Sequence, residues 1–270
     1  MGIDALREPG LSDAAERVDR DGYTIVTGAL RAVDVEEARQ RCLAELRGRT
    51  LWFGGGTIVG QISYLPPPDL DIVGKLLTNP SVIECASDLL GRDFRVLSIG
   101  CNVNLPGSAF QPAHADGNTS MDYLGVNLPL GDVTDANGSL EVFTGTHRRT
   151  LSYAEFKRVC RGGIARRANT ASGDVIIRYL NLWHRGTPNR SRVPRFMLAV
   201  LLGKSFTTRD PMRLSPATIE AIRQAGVHAD MIPSDGTTGV FFPSYFQKTP
   251  RGIAKEMLWR YAPAVYGAFR

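Results

Sequence analysis

The stretch "GDVIIRYLNLWHRGTPNRSRVPRFMLAVLLG" (173–203) contains two apolar runs that a turn separates. The first run leads to His184 and the second begins at Arg195, and the Gly-Thr-Pro-Asn segment between them (186–189) is typical of a turn. These features predict two strands of a buried sheet. His184 is then expected at the end of the first strand, and Arg195 at the start of the second can point back into the same cavity.

From about residue 93 onward, short apolar runs alternate with glycine, proline, asparagine and aspartate, which predicts a β-sandwich or barrel. The other runs are "FRVLSIGCNVNLP" (94–106), "MDYLGVNLPLGDV" (121–133) and "SLEVFTGTH" (139–147). Before them we expect strands at 23–26 and near 58–64, the latter within a long loop (53–71) that could form a lid. We expect helices after Asp34 and after Asn79, each of these residues capping its helix, and a third over 218–226 with Ser215 or Thr218 near its start.

We interpret the chain as one domain, because neither a linker nor an internal repeat is visible. We expect N-terminal helical support over about 1–92, a β core over about 93–205, and a C-terminal helix and aromatic tail over 206–270. With no run of 18 apolar residues and no secretion signal at the start, we expect no membrane span and a cytoplasmic protein.

The net charge of +5 comes from scattered basic residues rather than a dense block, so we do not expect nucleic-acid binding. A small anionic substrate would suit the charge equally well. The four cysteines are far apart and form no C-x-x-C pair, which argues against a disulfide framework or a zinc knuckle.

The segment "QPAHAD" (111–116) contains a histidine and an aspartate two residues apart, which places both side chains on one side of an extended chain. Two imidazoles and one carboxylate form the usual protein ligand set of mononuclear ferrous oxygenases. The third ligand would be His147, His184 or His228, and His228 begins a second H-x-D, which shows how common the pattern is. We favour His184, because it is the one predicted at the end of a core strand.

The sequence resembles the phytanoyl-CoA dioxygenase family of iron(II)- and 2-oxoglutarate-dependent oxygenases over nearly its whole length. Four blocks in order carry the resemblance: "DRDGYTIVTGAL" (19–30) with the following helix, "QPAHAD" (111–116), "DANGSLEVFTGTHR" (135–148) and "GDVIIRYLNLWHRGTPNRSRVPR" (173–195).

The resemblance implies a mainly β fold with flanking α-helices around a double-stranded β-helix, the cupin-like jelly roll. It implies that His114, Asp116 and His184 bind iron and that Arg195 holds the far carboxylate of 2-oxoglutarate. Further 2-oxoglutarate neighbours would be Gln111, Asn102, Thr187 and Ser191. His147 would have a structural role.

The implied function is oxidation of a C–H bond of a small molecule with O2 as co-substrate, giving hydroxylation or a related outcome such as epimerisation, cyclisation or desaturation. We expect a bacterial secondary metabolite as substrate and a monomer or homodimer. A carboxylate at position 116 argues for oxygenation, because related halogenases have glycine or alanine there. The alternatives are a catalytically silent jelly-roll binding protein and an acyl-CoA or lipid hydroxylase.

Overall fold

A computed structural model describes residues 11–47, 57–58, 60–67, 69–116, 121–204, 213–227, 232–233 and 239–241. The helices in these ranges are α1 (Asp13–Asp21), α2 (Ala32–Arg47), α3 (Asp71–Leu77), α4 (Pro80–Leu90), α5 (Tyr153–Cys160) and α6 (Pro216–Gln224), with a 3-10 turn at Thr146–Arg148. The strands before residue 150 are β1 (Tyr23–Val26), β2 (Thr57–Ile58), β3 (Gln61–Leu65), β4 (Arg95–Asn104), β5 (Tyr123–Pro129) and β6 (Leu140–Phe143). Those after it are β7 (Ala165–Ala168), β8 (Val175–Tyr179), β9 (His184–Gly186), β10 (Arg195–Gly203), β11 (Arg213–Leu214), β12 (Ile232–Pro233) and β13 (Gly239–Phe241).

The strands form a large antiparallel sheet in the order β1-β8-β5-β10-β4-β3-β13, to which β2 adds beside β3, and a smaller antiparallel sheet in the order β7-β6-β9. A parallel pair, β11 and β12, is separate. This is the expected mainly β jelly roll with flanking helices. The N-terminal third contributes β1, β2 and β3 to the large sheet in addition to its helices.

Strand β8 is buried on both faces because different layers cover them. Val175 and Ile177 pack in the main core with side chains of the helices, while Ile176 packs with side chains of the small sheet. The cluster between the sheets consists of Leu140, Val142, Ala168, Ile176, Leu182 and Met197. Full burial of a large apolar side chain contributes about 1.5–3 kcal/mol, more than a typical hydrogen bond of about 0.5–1.5 kcal/mol. The cluster is therefore the main contact that holds the small sheet against the large one.

Most predicted elements are confirmed, because they depend on local signals. Strand β1 covers 23–26 as expected, and the Asn79 side chain accepts hydrogen bonds from the backbone of Ser81 and Val82 at 3.1 and 3.3 Å at the start of α4. Ser215 accepts from Thr218 N and caps α6. The sequence patterns did not predict α1, α3, α5 or β7.

Two local predictions were wrong. Helix α2 begins before Asp34, whose carboxylate accepts from Arg31 and Lys75 instead of capping the helix. His184 does not end the predicted core strand: β8 stops at Tyr179, the chain turns, and His184 opens β9 in the small sheet. The reason is that β8 is bound on both sides within the large sheet, so the chain must leave it to pair with β6.

Within the described residues, no helix has both the length and the hydropathy needed to cross a bilayer. Part of the long loop 53–71, together with His228 and the aromatic tail apart from the backbone of β13, lies outside the described residues.

Candidate metal and oxoacid site

An antiparallel bridge brings the two candidate histidines together. The backbone N–H of His114 donates to the carbonyl of His184 at 3.0 Å, and the N–H of His184 donates to the carbonyl of His114 at 2.8 Å. Residues paired directly across antiparallel strands project to the same side. Two side chains that are 70 positions apart in the chain therefore lie with ring centroids 4.5 Å apart.

Backbone carbonyls fix which ring nitrogen each histidine presents. The Nδ1 of His114 lies 2.8 Å from the carbonyl oxygen of Pro112, and the Nδ1 of His184 lies 2.9 Å from that of Leu182. A carbonyl can only accept, so Nδ1 carries the proton in each ring and donates it. In the neutral form of each ring, Nε2 therefore carries the free lone pair that metal ligation requires.

Asp116 completes the cluster. Its Oδ1 lies 3.4 Å from His114 Nε2, and its Oδ2 lies 3.5 Å from His184 Nε2. One candidate ligand atom from each of the three residues falls within 4.8 Å of the others. Two neutral imidazole nitrogens and a carboxylate oxygen at this spacing fit the donor set of a mononuclear iron(II) site.

The charges of the three groups are set by burial and by one another. Burial, together with the nearby charge of Arg178, lowers the pKa of His184 to about 3. Burial also lowers the pKa of His114, but its hydrogen bond to Asp116 outweighs this and raises the value above the ordinary one. Although burial opposes it, attraction to His184 and Arg178 holds the pKa of the Asp116 carboxyl well below its usual range.

Arg195 opens β10 as predicted, and it is buried with 7% of its surface exposed. Its Nε and Nη2 donate to the carbonyl of Gly138 at 3.1 and 2.8 Å, and Nη1 lies 3.5 Å from the carbonyl of Asn102. No carboxylate among the described residues lies within ion-pair distance, and burial lowers the pKa of this arginine to about 10. A buried cation without an anionic partner is costly, and a ligand carboxylate would relieve that cost.

Asn102 and Gln111 lie near this region in different ways. Asn102 pairs across the strands with Met197, whose side chain packs between the sheets, so Asn102 faces the interior of the jelly roll and yet is exposed. It therefore lines an opening. The Gln111 side chain accepts from the N–H of Gly186 at 2.8 Å, which anchors the segment that leads to His114.

Thr187 and Ser191 use their hydroxyls within the protein. Thr187 is buried and donates to the carbonyl of Ser139 at 2.8 Å, and Ser191 donates to Asn189 Oδ1 at 2.7 Å. Both order the turn between β9 and Arg195.

Two residues next to the site, His147 and Trp183, pack against other parts of the protein. His147 is buried, lies 3.0 Å from the carbonyl of Asp19 through Nε2, and stacks on Tyr179. Trp183 projects away from the site and stacks on Phe156 of α5 with centroids 4.1 Å apart. Neither belongs to the cluster of possible metal ligands.

Two parts of the candidate site, Arg178 and the Asn137-Gly138 turn, were not predicted from the sequence. Arg178 interrupts the apolar run of β8, and its Nη2 lies 2.5 Å from Asp116 Oδ2. A charged residue in an otherwise buried strand is a signal that could have identified it. The Asn137-Gly138 turn before β6 provides the carbonyl that anchors Arg195, and nothing in the sequence pattern assigned it to the site.

A jelly roll that brings two imidazoles and a carboxylate together beside a buried arginine defines the class of cupin-like proteins with a two-histidine, one-carboxylate site. The chain belongs to the phytanoyl-CoA dioxygenase (PhyH) family, whose family model matches residues 18–197.

Among curated proteins, the chain is similar to L-proline trans-4-hydroxylase of Streptomyces griseoviridis, with 29% identity over 148 residues that cover 50% of this chain and 55% of the relative. The chain thus matches about half the length of that relative.

Similar solved structures share the fold. The non-heme alpha ketoglutarate dependent epimerase SnoN from nogalamycin biosynthesis is 21% identical with a TM-score of 0.57, covering 70% of this chain and 79% of its own. The carbocyclase SnoK from the same biosynthesis is 20% identical with a TM-score of 0.58, covering 75% and 87%. HygX from Streptomyces hygroscopicus, with nickel and 2-oxoglutarate bound, is 15% identical with a TM-score of 0.59, covering 76% and 91%.

Proposed function

We propose that this protein is a non-haem iron(II)- and 2-oxoglutarate-dependent oxygenase that acts on a C–H bond of a small molecule. The observation that carries the proposal is the convergence of His114, Asp116 and His184, with candidate ligand atoms within 4.8 Å of one another. These residues would hold iron(II). When bound, iron with 2-oxoglutarate and O2 supplies the oxidation of the substrate and the decarboxylation of the oxoacid.

The protein's own groups would prepare this chemistry. The Pro112 and Leu182 carbonyls hold the Nδ1 proton of each ring, so Nε2 is the nitrogen that each histidine would present to the metal. Arg195 would bind the far carboxylate of 2-oxoglutarate through a charge-assisted, two-pronged hydrogen bond, which would supply an anion that no described residue places beside its buried guanidinium.

The four residues predicted to lie near 2-oxoglutarate would have different roles, some in direct contact with it and others only in ordering the chain around it. Asn102 faces the opening and would contact 2-oxoglutarate or the substrate. Gln111 would act at the edge of the site, where it also anchors the chain before His114. Thr187 and Ser191 would act mainly by ordering the turn that precedes Arg195.

We propose a bacterial secondary metabolite as the substrate, with hydroxylation, epimerisation, cyclisation or desaturation as the outcome. Family membership, the hydroxylase relative, and an epimerase and a carbocyclase of the same fold support this proposal. The carboxylate of Asp116 favours oxygenation over halide chemistry. Substrate panels that include acyl-CoA thioesters would separate this proposal from a lipid hydroxylase.

Anaerobic titration of the protein with Fe(II) and 2-oxoglutarate tests the proposal. We expect a weak visible charge-transfer band and, after O2 is admitted, formation of succinate. Asp116→Ala and His184→Ala should each abolish both signals. A folded wild-type protein that binds 2-oxoglutarate without the band or succinate would instead be a silent binding protein.

A further inference from the structure

Arg178 is a buried cation in the centre of the large sheet. It lies on β8 and is 6% exposed, and β8 is paired on both sides by β1 and β5. Its side chain lies on the same face of the strand as Ile176, which packs between the two sheets. The guanidinium therefore points into the interior of the jelly roll, toward the candidate metal ligands.

Two hydrogen bonds to side chains hold the guanidinium in one orientation. Nη2 lies 2.5 Å from Asp116 Oδ2, and Nε donates to the side-chain oxygen of Asn127 at 3.2 Å. Gly125, directly opposite on β5, leaves room for it: a Cβ there would lie 3.4 Å from Cζ of Arg178. The strand pairing thus fixes the arginine before any ligand arrives.

The two oxygens of Asp116 consequently have different surroundings. Each oxygen lies near one histidine, Oδ1 at 3.4 Å from His114 Nε2 and Oδ2 at 3.5 Å from His184 Nε2, but only Oδ2 accepts a hydrogen bond from Arg178. The backbone N–H of Asp116 donates to the carbonyl of Leu180 at 3.2 Å, but the side chain is one-third exposed, so little packing constrains the carboxylate itself. The bond to a rigid, buried guanidinium is the contact that orients the carboxylate.

We propose that Arg178 is a positioning residue that occupies Oδ2 of Asp116 and leaves Oδ1 as the single oxygen for the metal. This inference rests on the proposed function, because it assigns Asp116 as a metal ligand. Groups that orient a ligand typically change metal affinity by about 10- to 100-fold when they are removed.

The test measures the affinity for Ni(II) alone by titration calorimetry. Ni(II) binds imidazole and carboxylate sites more tightly than Fe(II), which keeps weakened variants measurable. We expect Arg178→Met to weaken binding at least tenfold and Arg178→Lys, which keeps a charged donor, to weaken it less. Arg185→Met is the matched control, because it removes an arginine–carboxylate pair with Glu141 beside His184 without touching Asp116. Its affinity should stay within threefold of the wild type.

A double-mutant cycle separates positioning from general damage. In an Asp116→Asn background the effect of Arg178→Met should shrink below threefold, because the carboxylate through which Arg178 acts is gone. An equal loss in both backgrounds, or unchanged affinity in Arg178→Met, would overturn the inference. If Arg178→Met does not fold, the same cycle with Arg178→Gln decides. Failure of the wild type itself to bind Ni(II) would refute the proposed function instead.

Discussion

The protonation states of the two histidines differ at the scale of single residues, although both are candidate ligands. His184 is neutral near pH 7, since its pKa is lowered to about 3, whereas His114 has a pKa raised above 6.5 by Asp116. A metal must therefore displace a proton from His114 but not from His184.

We predict that metal affinity falls as the pH is lowered through the pKa of His114. The sign follows from competition, because protons and metal share the same Nε2, and the expected slope below that pKa is about tenfold per pH unit for one proton. Calorimetric Ni(II) titrations from pH 6 to 8, in buffers of different ionisation enthalpy, measure both the slope and the proton released. Release of two protons on Ni(II) binding, or a metal affinity that does not change with pH, would contradict the assigned protonation states of His114 and His184.

At the scale of elements, the turn before β6 positions the Arg195 side chain through one backbone carbonyl, that of Gly138. Gly138 has φ +91°, and a Cβ there would lie 2.2 Å from Asn104 Nδ2, so the turn tolerates neither another conformation nor another atom. The carbonyl of Gly138 accepts hydrogen bonds from both Nε and Nη2 of Arg195. A turn and a strand that are distant in sequence thus position one guanidinium.

We predict that Gly138→Ala weakens 2-oxoglutarate binding more than metal binding, because the displaced carbonyl releases Arg195 and leaves the metal ligands in place. Gly107→Ala is the matched control, since Gly107 also has a positive φ, +76°, but a Cβ there would meet nothing within 4 Å. In this control, the free energy of unfolding should fall by only about 1 kcal/mol, which is the cost of a positive φ for alanine. Equal effects of both variants on 2-oxoglutarate affinity would refute the role of the turn.

At the scale of the whole molecule, the residues proposed to bind metal and 2-oxoglutarate come from both sheets. His184 belongs to the small sheet, while Arg195 belongs to the large one. Asp116 lies between the two, since its backbone N–H and its carboxylate bond to Leu180 and Arg178 of the β8 region, and its Oδ2 lies 3.5 Å from His184 Nε2. Bound metal and 2-oxoglutarate should therefore stabilise the assembly of both sheets.

We predict that Ni(II) with 2-oxoglutarate raises the unfolding temperature of the wild type. Ligand at 100 times its Kd contributes about 2.7 kcal/mol if it binds only the folded state. Differential scanning fluorimetry measures the shift, and His184→Ala should lose it while Trp183→Phe, which keeps an aromatic ring on the α5 side, should retain it. A full shift in His184→Ala would place the metal elsewhere.

The sequence by itself determined the β-rich architecture, the capped helix α4, and the identity of the residues proposed as ligands. These depend on local rules, because alternation and capping act over a few neighbouring residues and the family blocks occur in order. The start of β10 at Arg195 belongs to the same group, since the preceding turn signals it.

Only the tertiary structure decided that His184 opens a strand of the small sheet, that Gly138 anchors Arg195, and that Arg178 holds Asp116. These contacts join residues 42 to 62 positions apart: His184 with Val142 of β6, Gly138 with Arg195, and Asp116 with Arg178. Such contacts depend on which strands pair and in what register. Pairing is selected by burial across the whole sheet rather than by any short stretch, so no local pattern encodes it.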